Sequence, residues 1–405
     1  MPDTIRMSSS SDQRESSRHQ VLETIRNAGR IARIDIAKQT QVSPATVTAI
    51  TSELLGAGLI EEIEPEPDRT TVKRGRPRVS LRICGDAHLI AGIKISDKTA
   101  TAILVDFDGN TVGHRETPLP ASVVTPDHLV TIVRSLLEQT TQTAGRQLSD
   151  ISGVGIGLAG LIDAKRNFVY WSPSLNKRNV ELGRWLDAAL PFPSFIDNDA
   201  NLVAMAEQQF GVGRGVSDFI VITIEQGVGM GIVIDHAIYR GERGCGAEFG
   251  HAKVHLDGAL CRCGQRGCLE AYVGDYALLR EASILNSTQP ESDLAALYQQ
   301  AQNGDAMARS VFDRAGRMFA MGLANIINIF DPKLVVLSGE QMEYDFLYSQ
   351  DVLERVWASI VHVDTQRPEI RVHKWGDLMW AKGAAAYAIE RVSNTTIQRL
   401  AAHAA

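Results

Sequence analysis

The chain has 405 residues, 44% of them hydrophobic and 22% charged, and a formal net charge of -7. A length of this order holds two or three domains with buried cores, and the composition excludes collagen-like, low-complexity and disulfide-stapled scaffolds. No run approaches the ~18 apolar residues of a membrane span.

The opening "MPDTIRMSSSSDQRESS" is polar and has no apolar signal core, so residues 1–17 read as a mobile tail on a cytoplasmic protein. Residues 18–83 carry the pattern of a winged helix-turn-helix. "RHQVLETIRNAG" places Val21, Leu22 and Ile25 at helical spacing and stops at Gly29, and "RIDIAKQTQV" follows as a shorter helix. "SPATVTAITSELLGAGLIEE" opens a third helix with Ser43 as N-cap and Pro44 at its first position, and Gly56 and Gly58 end it. "LIEEIE" and "VSLRI" pair as the strands of a wing that carries "TTVKRGRPR" at its tip.

Such a third helix enters the major groove N-terminus first. It presents Ser43, Ala45, Thr46, Thr48 and Ala49 to base edges, thymine methyls and a phosphate. Lys73, Arg74, Arg76 and Arg78 at the wing tip have the reach for phosphates or for a narrow minor groove. Between Arg69 and Arg82 the basic residues meet no acidic one, a local basic patch on an otherwise acidic chain. Double-stranded DNA is therefore the first partner to expect.

From residue 88 the pattern changes. "HLIAGIKISDKTATAILVDFDGNTVGHRETPL" reads as three strands with turns at Ser96-Asp97 and Asp108-Gly109, followed by a helix at about 126–143 and the apolar strand "ISGVGIGLAG". Strands alternating with helices along the rest of the chain argue an α/β fold. Gly155-x-Gly157-x-x-Gly160 matches a dinucleotide fingerprint, but no helix opens in its glycine turn, so these glycines read as points of close backbone approach.

The five cysteines, Cys84, Cys245, Cys261, Cys263 and Cys268, are odd in number and clustered, which suits a metal in a reducing compartment. In "EFGHAKVHLDGALCRCGQRGCLE", residues 248–270, Gly264 and Gly267 let the backbone turn so that Cys261, Cys263 and Cys268 converge. One histidine completes a closed tetrahedral shell, which marks a structural Zn2+ ion, one per chain. The spacing leaves both His251 and His255 open as that ligand. Cys245 lies upstream and reads as a packed residue.

Taken in order, "PSFIDNDANLVAMAE", "DFIVITIEQGVGMGIVIDHAIYRG", the cysteine segment, "DPKLVVLSGE" and "AKGAAAYAIERV" resemble the ROK family, named for repressors, open reading frames and sugar kinases. The resemblance spans about residues 85–392 and implies an actin-like, hexokinase-like two-lobed α/β fold. It places a small lobe at 84–197, with residues from about 385 to 405 packing back on it, and a large lobe at 198–384 that holds the zinc and a sugar pocket. The resemblance implies His251 as the zinc ligand and Asn198, Asp199, Glu248, His251 and Glu270 as sugar contacts. Carboxylates and an amide take paired hydroxyls and reject analogues that leave them unpaired. Trp171, in "WSPSLNKRN", either stacks on a ring or packs in the core.

The kinases of the family carry "DxGGT", "GTG" and "GGG" around the nucleotide. Here Lys94 and Ser96-Asp97-Lys98, Glu225-Gln226-Gly227, and Ser338-Gly339-Glu340 stand at those places. The backbone nests that cradle phosphate are altered, while the sugar-side residues are kept. The expectation is a non-enzyme of the repressor branch, a DNA-binding regulator whose sugar or sugar-phosphate effector changes lobe closure and so the spacing of paired heads in a dimer or tetramer. The alternatives are a DNA-binding, ATP-dependent sugar kinase and a regulator controlled by a protein partner.

Overall fold

A computed structural model describes residues 10–63, 79–285, 293–361, 366–374, 376 and 378–403. The N-terminal segment is built from α1 (Ser10–Ala28), β1 (Ile31–Ala32), α2 (Arg33–Thr40), α3 (Pro44–Gly56), β2 (Ile60–Ile63) and β3 (Ser80–Ile83). Val21, Leu22, Ile25, Ile36, Val47, Ile50 and Leu54 are buried and form its core, the same apolar positions that the helical spacing marks.

Helix α1 starts at Ser10, inside the segment read from sequence as a mobile tail. That half of the helix has polar partners, so apolar periodicity does not reveal it: Arg18 is buried and donates to Glu53 at 2.7 Å, and Gln398 donates to Glu15 at 3.1 Å. Gln41, in left-handed conformation at φ 56°, ends α2. Ser43 caps α3 as expected, its Oγ accepting from the Thr46 amide at 3.2 Å with Pro44 behind it. Ser43→Ala should cost about 1 kcal/mol of head stability, measurable as an earlier loss of head helicity on heating. A change below a few tenths of that would remove the cap from the account.

Strands β2 and β3 pair antiparallel, Ile60 opposite Ile83, and β1 joins the other side of β3. The wing strands are thus in place, while Lys73, Arg74, Arg76 and Arg78 lie outside the described residues. Arg82 does not belong to an unopposed basic patch. It sits across from Glu61 in the register and its Nε donates to that carboxylate at 2.8 Å, a cross-strand ion pair that linear spacing hides.

The chain continues through β4 (Leu89–Ile95), β5 (Thr99–Val105), β6 (Thr111–Pro118), α4 (Pro126–Thr143), β7 (Ile151–Leu158), β8 (Leu161–Asp163), β9 (Phe168–Trp171), α5 (Leu182–Ala189) and β10 (Ser194–Asn198). It then runs through α6 (Asp199–Phe210), β11 (Phe219–Ile224), β12 (Val228–Ile234), β13 (Ala237–Ile238), α7 (Glu270–Val273), α8 (Asp275–Leu285), α9 (Leu294–Gln302), α10 (Ala306–Phe330), β14 (Leu334–Ser338), α11 (Gln350–Ser359), β15 (Glu369–Val372) and α12 (Met379–His403). Two compact units result. The first comprises the segment to Gly160, Arg166–Asp197 and Ala381 onward, and the second comprises Leu161–Lys165 and Asn198–Trp380.

The first unit holds a five-stranded sheet in the order β10-β7-β4-β5-β6, with β4 antiparallel to β5, β5 antiparallel to β6, and β4 parallel to β7. Helix α12 crosses this sheet where β4 and β7 have no side chain: a Cβ at Gly92 would lie 2.0 Å from the Ala381 carbonyl oxygen, and one at Gly155 would lie 1.9 Å from that of Ala384. The alanine run of α12 makes this approach possible from the helix side. No helix follows β7 directly; β8 does, and Gly160, at φ 125°, lies against the Trp171 carbonyl. The fingerprint glycines thus serve backbone packing.

The same unit ties the N-terminal segment to the sheet. Arg26 of α1 is buried, lies 4.7 Å over the Phe107 ring and donates to the Phe107 carbonyl, in the turn between β5 and β6. The second unit repeats the sheet pattern in the order β13-β12-β11-β14-β15, with β11 antiparallel to β12 and parallel to β14. Its largest core joins Ile222, Phe249, Leu269, Phe319 and Leu323 beneath the cysteine segment.

Candidate metal centre and polar site

Phe249 is buried in that core and starts a short 3-10 turn, Phe249–His251, which fixes the histidine at the surface of the second unit. The chain then folds back on itself through bridges between Lys253 and Cys268 and between Leu260 and Arg266. At the tip, Cys261 accepts from the Gly264 amide at 3.0 Å and donates its own amide to Gln265 at 2.8 Å. Gly267, at φ 77°, passes so close that a Cβ would lie 1.8 Å from the His255 carbonyl oxygen, so that position requires glycine.

The result is a convergence of His251, Cys261, Cys263 and Cys268, whose ligand atoms all lie within 4.8 Å of one another and can hold a metal ion. His251 Nδ1 is 3.7 Å from Cys261 Sγ, and Cys263 Sγ is 3.8 Å from Cys268 Sγ. A tetrahedron with metal–sulfur bonds of ~2.3 Å has edges of about 3.8 Å, so the donors are spaced as a tetrahedral ion needs them. Burial pushes the Cys261 thiol up to about 12, so its thiolate would need a bound cation to stabilise it. Lys253 donates to Gln265 at 2.6 Å and to Cys268 Sγ at 2.9 Å, and the bond to Cys268 raises the lysine's pKa. Of the two histidines, His251 lies in the cluster, and His255 is exposed beside Tyr272 and outside it. Cys245 is also outside it, its Sγ against the Arg243 carbonyl.

The other expected site residues belong to the second unit too. Asn198 ends β10 and caps α6, its side chain accepting from the Ala200 amide at 2.9 Å. Asp199 shares that amide through Oδ1. Glu248 precedes the His251 turn, and Glu270 opens α7. Glu248 has a surface open to solvent, yet protein surrounds much of its carboxyl. Loss of hydration first, then the charges of Asp199 and Glu270, push its pKa from 4.5 up to about 7. Such a carboxyl favours the fold below 4.5 and loses that contribution as pH rises through about 7. The cluster therefore offers acceptors, and near neutral pH a donor, to hydroxyl groups held by several side chains at once.

Glu270 links the two sites. Its Oε2 accepts from the Val228 amide at 3.4 Å, and its Oε1 lies 3.3 Å from the Tyr276 hydroxyl and 3.5 Å from Cys261 Sγ. Tyr276 lies beyond the 248–270 segment, and Lys253 lies inside it without being a metal-ligating type, so neither was legible as a site residue. Gln341 was also missed: buried after β14, it donates to the carbonyls of Glu225 at 3.2 Å and Val273 at 3.1 Å.

The turns at 96–98 and 225–227 take up polar groups of their own backbone. In the turn between β4 and β5, Ser96 Oγ accepts from the amides of Lys98 at 3.3 Å and Thr99 at 2.9 Å, amides that a phosphate nest would leave free. The Glu225 amide donates to the Gly227 carbonyl at 2.9 Å. Gly339, at φ 113°, is pressed against the Ile224 backbone. Trp171 is half-buried, with the Arg178 guanidinium 5.8 Å from its ring centre. On α3, Ser43, Ala45, Thr46, Thr48 and Ala49 are all exposed, while Val47, Ile50, Thr51 and Leu54 face the core.

A model of the MarR family matches residues 6–72, and one of the ROK family matches residues 90–391. The chain is 28% identical over 345 residues to the xylose repressor of Caldicellulosiruptor bescii, covering 82% of this chain and 85% of that one. A solved ROK family transcriptional regulator, a homolog of the E. coli MLC protein, is 25% identical with a TM-score of 0.80 and covers 96% of this chain and 99% of its own. A ROK family glucokinase from Streptomyces griseus, solved with glucose and AMPPNP, is 28% identical with a TM-score of 0.63 and covers 74% and 99%. The fold is thus the sugar-kinase-like α/β fold preceded by a MarR-type helix-turn-helix segment, and the chain belongs to the ROK family.

Proposed function

We propose that the protein is a sugar-responsive transcriptional repressor. Its α3 reads operator DNA through Ser43, Ala45, Thr46, Thr48 and Ala49, and Lys73, Arg74, Arg76 and Arg78 hold the backbone. Asn198, Asp199, Glu248, His251 and Glu270 bind the effector, and a structural zinc on His251, Cys261, Cys263 and Cys268 fixes three of those groups. The observation that carries this reading is the pairing, in one chain, of an exposed α3 face with a polar cluster that keeps its carboxylates while the Ser96 turn consumes its own amides. The protein acts in the cytoplasm as a dimer, since helix-turn-helix heads read half-sites ~34–36 Å apart. The Arg26–Phe107 contact ties the head to the first unit's sheet, and on this reading it carries the effector signal to the DNA.

Sugar kinase is the second reading, favoured by retention of Asp199 beside Glu248. A panel of D-xylose, D-glucose, N-acetyl-D-glucosamine and their phosphates separates the two. The repressor reading expects one member to raise the melting temperature, with no ADP released from ATP and sugar. Glu248→Gln should abolish that shift and leave operator affinity within about twofold. ATP-dependent phosphorylation that disappears in Asp199→Asn would establish the kinase instead.

A further inference from the structure

We propose that Tyr276 is a positioning residue that couples the metal centre to the effector site: its hydroxyl bridges Cys261 Sγ, at 3.7 Å, and Glu270 Oε1, at 3.3 Å. This rests on the reading of Glu270 as an effector contact. The ring is held by two arginines besides the bridge. Arg262 lies 3.9 Å over its centre and Arg280 5.8 Å from it, and Arg280 is itself tied to the carbonyls of Leu260 at 2.7 Å and Ala271 at 2.9 Å. The Arg262 amide donates to the tyrosine oxygen at 3.4 Å, so the oxygen is anchored and its one proton is left for two acceptors.

Those acceptors compete. Without metal, the Cys261 thiol can itself donate to Glu270 across 3.5 Å. A bound metal would release the Cys261 thiol proton to solvent, leaving the Tyr276 hydroxyl as the donor shared by the thiolate and the Glu270 carboxylate. With a sugar hydroxyl donating to Glu270, the tyrosine would turn its hydrogen bond toward the Cys261 sulfur. Hydrogen bonds to a ligating sulfur change its donor strength, so effector binding would be read in the ligand field of a metal held by Cys261. The second unit contains every residue of this chain of contacts.

Tyr276→Phe removes the hydroxyl and keeps the ring between its two arginines. The full-length variant and wild type are loaded with Co2+, titrated against a zinc-competing chelator and scanned for the thiolate-to-cobalt charge-transfer band with D-xylose, D-glucose and N-acetyl-D-glucosamine. The expected results are metal affinity reduced about 10-fold or more, a melting temperature within a few degrees of wild type, and a sugar-induced shift of the band in wild type that is absent in the variant. Unchanged metal affinity in the variant overturns the proposal, as does a wild-type band that stays still while calorimetry shows the sugar bound. If calorimetry shows that no panel member binds, the effector reading of Glu270 fails with the coupling, and the chelator titration alone decides whether Tyr276 supports the metal.

Discussion

Cys268→Ser is expected to strip the metal from the protein and to abolish any response to effector. Cys268 is fully buried, 3.8 Å from Cys263 Sγ, and receives the Lys253 hydrogen bond. Without the ion, the 248–270 segment loses the interaction that gathers its polar loop, and Glu248, His251 and Glu270 lose their common anchor. Structural zinc stabilises small folded units on the order of 10 kcal/mol. The Phe249 and Leu269 core under this loop persists without it, so a loss of about 4 kcal/mol is a reasonable share, or a melting temperature lower by about 10 °C. Metal content by mass spectrometry and melting by calorimetry check both numbers. Operator binding should survive, because the head has its own core. A metal-free variant that still responded normally to effector would show that the ion does not organise the site.

Gly155→Ala should strongly destabilise the first unit. Its Cβ would stand 1.9 Å from the Ala384 carbonyl oxygen, so α12 has to move by more than an ångström across the sheet. Overpacking of this kind costs about 3 kcal/mol or more, which lowers the melting temperature by roughly 10 °C in a unit of this size. Gly92→Ala, against Ala381, should behave alike. Gly56→Ala is the control: it lies in α3 with nothing within 4 Å, and the higher helix propensity of alanine makes it neutral or stabilising by up to about 1 kcal/mol. Equal melting of the Gly155 and Gly56 variants would mean that α12 does not sit on β7 as described.

What the sequence disclosed was what local chemistry encodes. The Ser43 cap with Pro44, the Asp108-Gly109 turn and the glycines among the cysteines each bias a few residues of backbone, and all appear where expected. The fourth metal donor needed the structure or a family resemblance, because His251 and His255 are equivalent by spacing. Contacts between distant residues carry no period at all. Arg26 meets Phe107 across 81 positions, Gln341 meets the Glu225 loop across 116, and Arg82 finds Glu61 only once the strands are in register. The first eight residues of α1 were hidden for a related reason, since the contacts that secure that end are between polar side chains.

The central claim is that effector binding in the polar cluster releases DNA. A gel-shift with the full-length protein on DNA from its own upstream region, across the same sugars and sugar phosphates, tests it most directly. The account predicts a specific retarded band that one member of the panel dissolves in wild type but not in Glu248→Gln or Cys268→Ser. A band that no panel member alters, while the same compounds bind the protein in calorimetry, would contradict it.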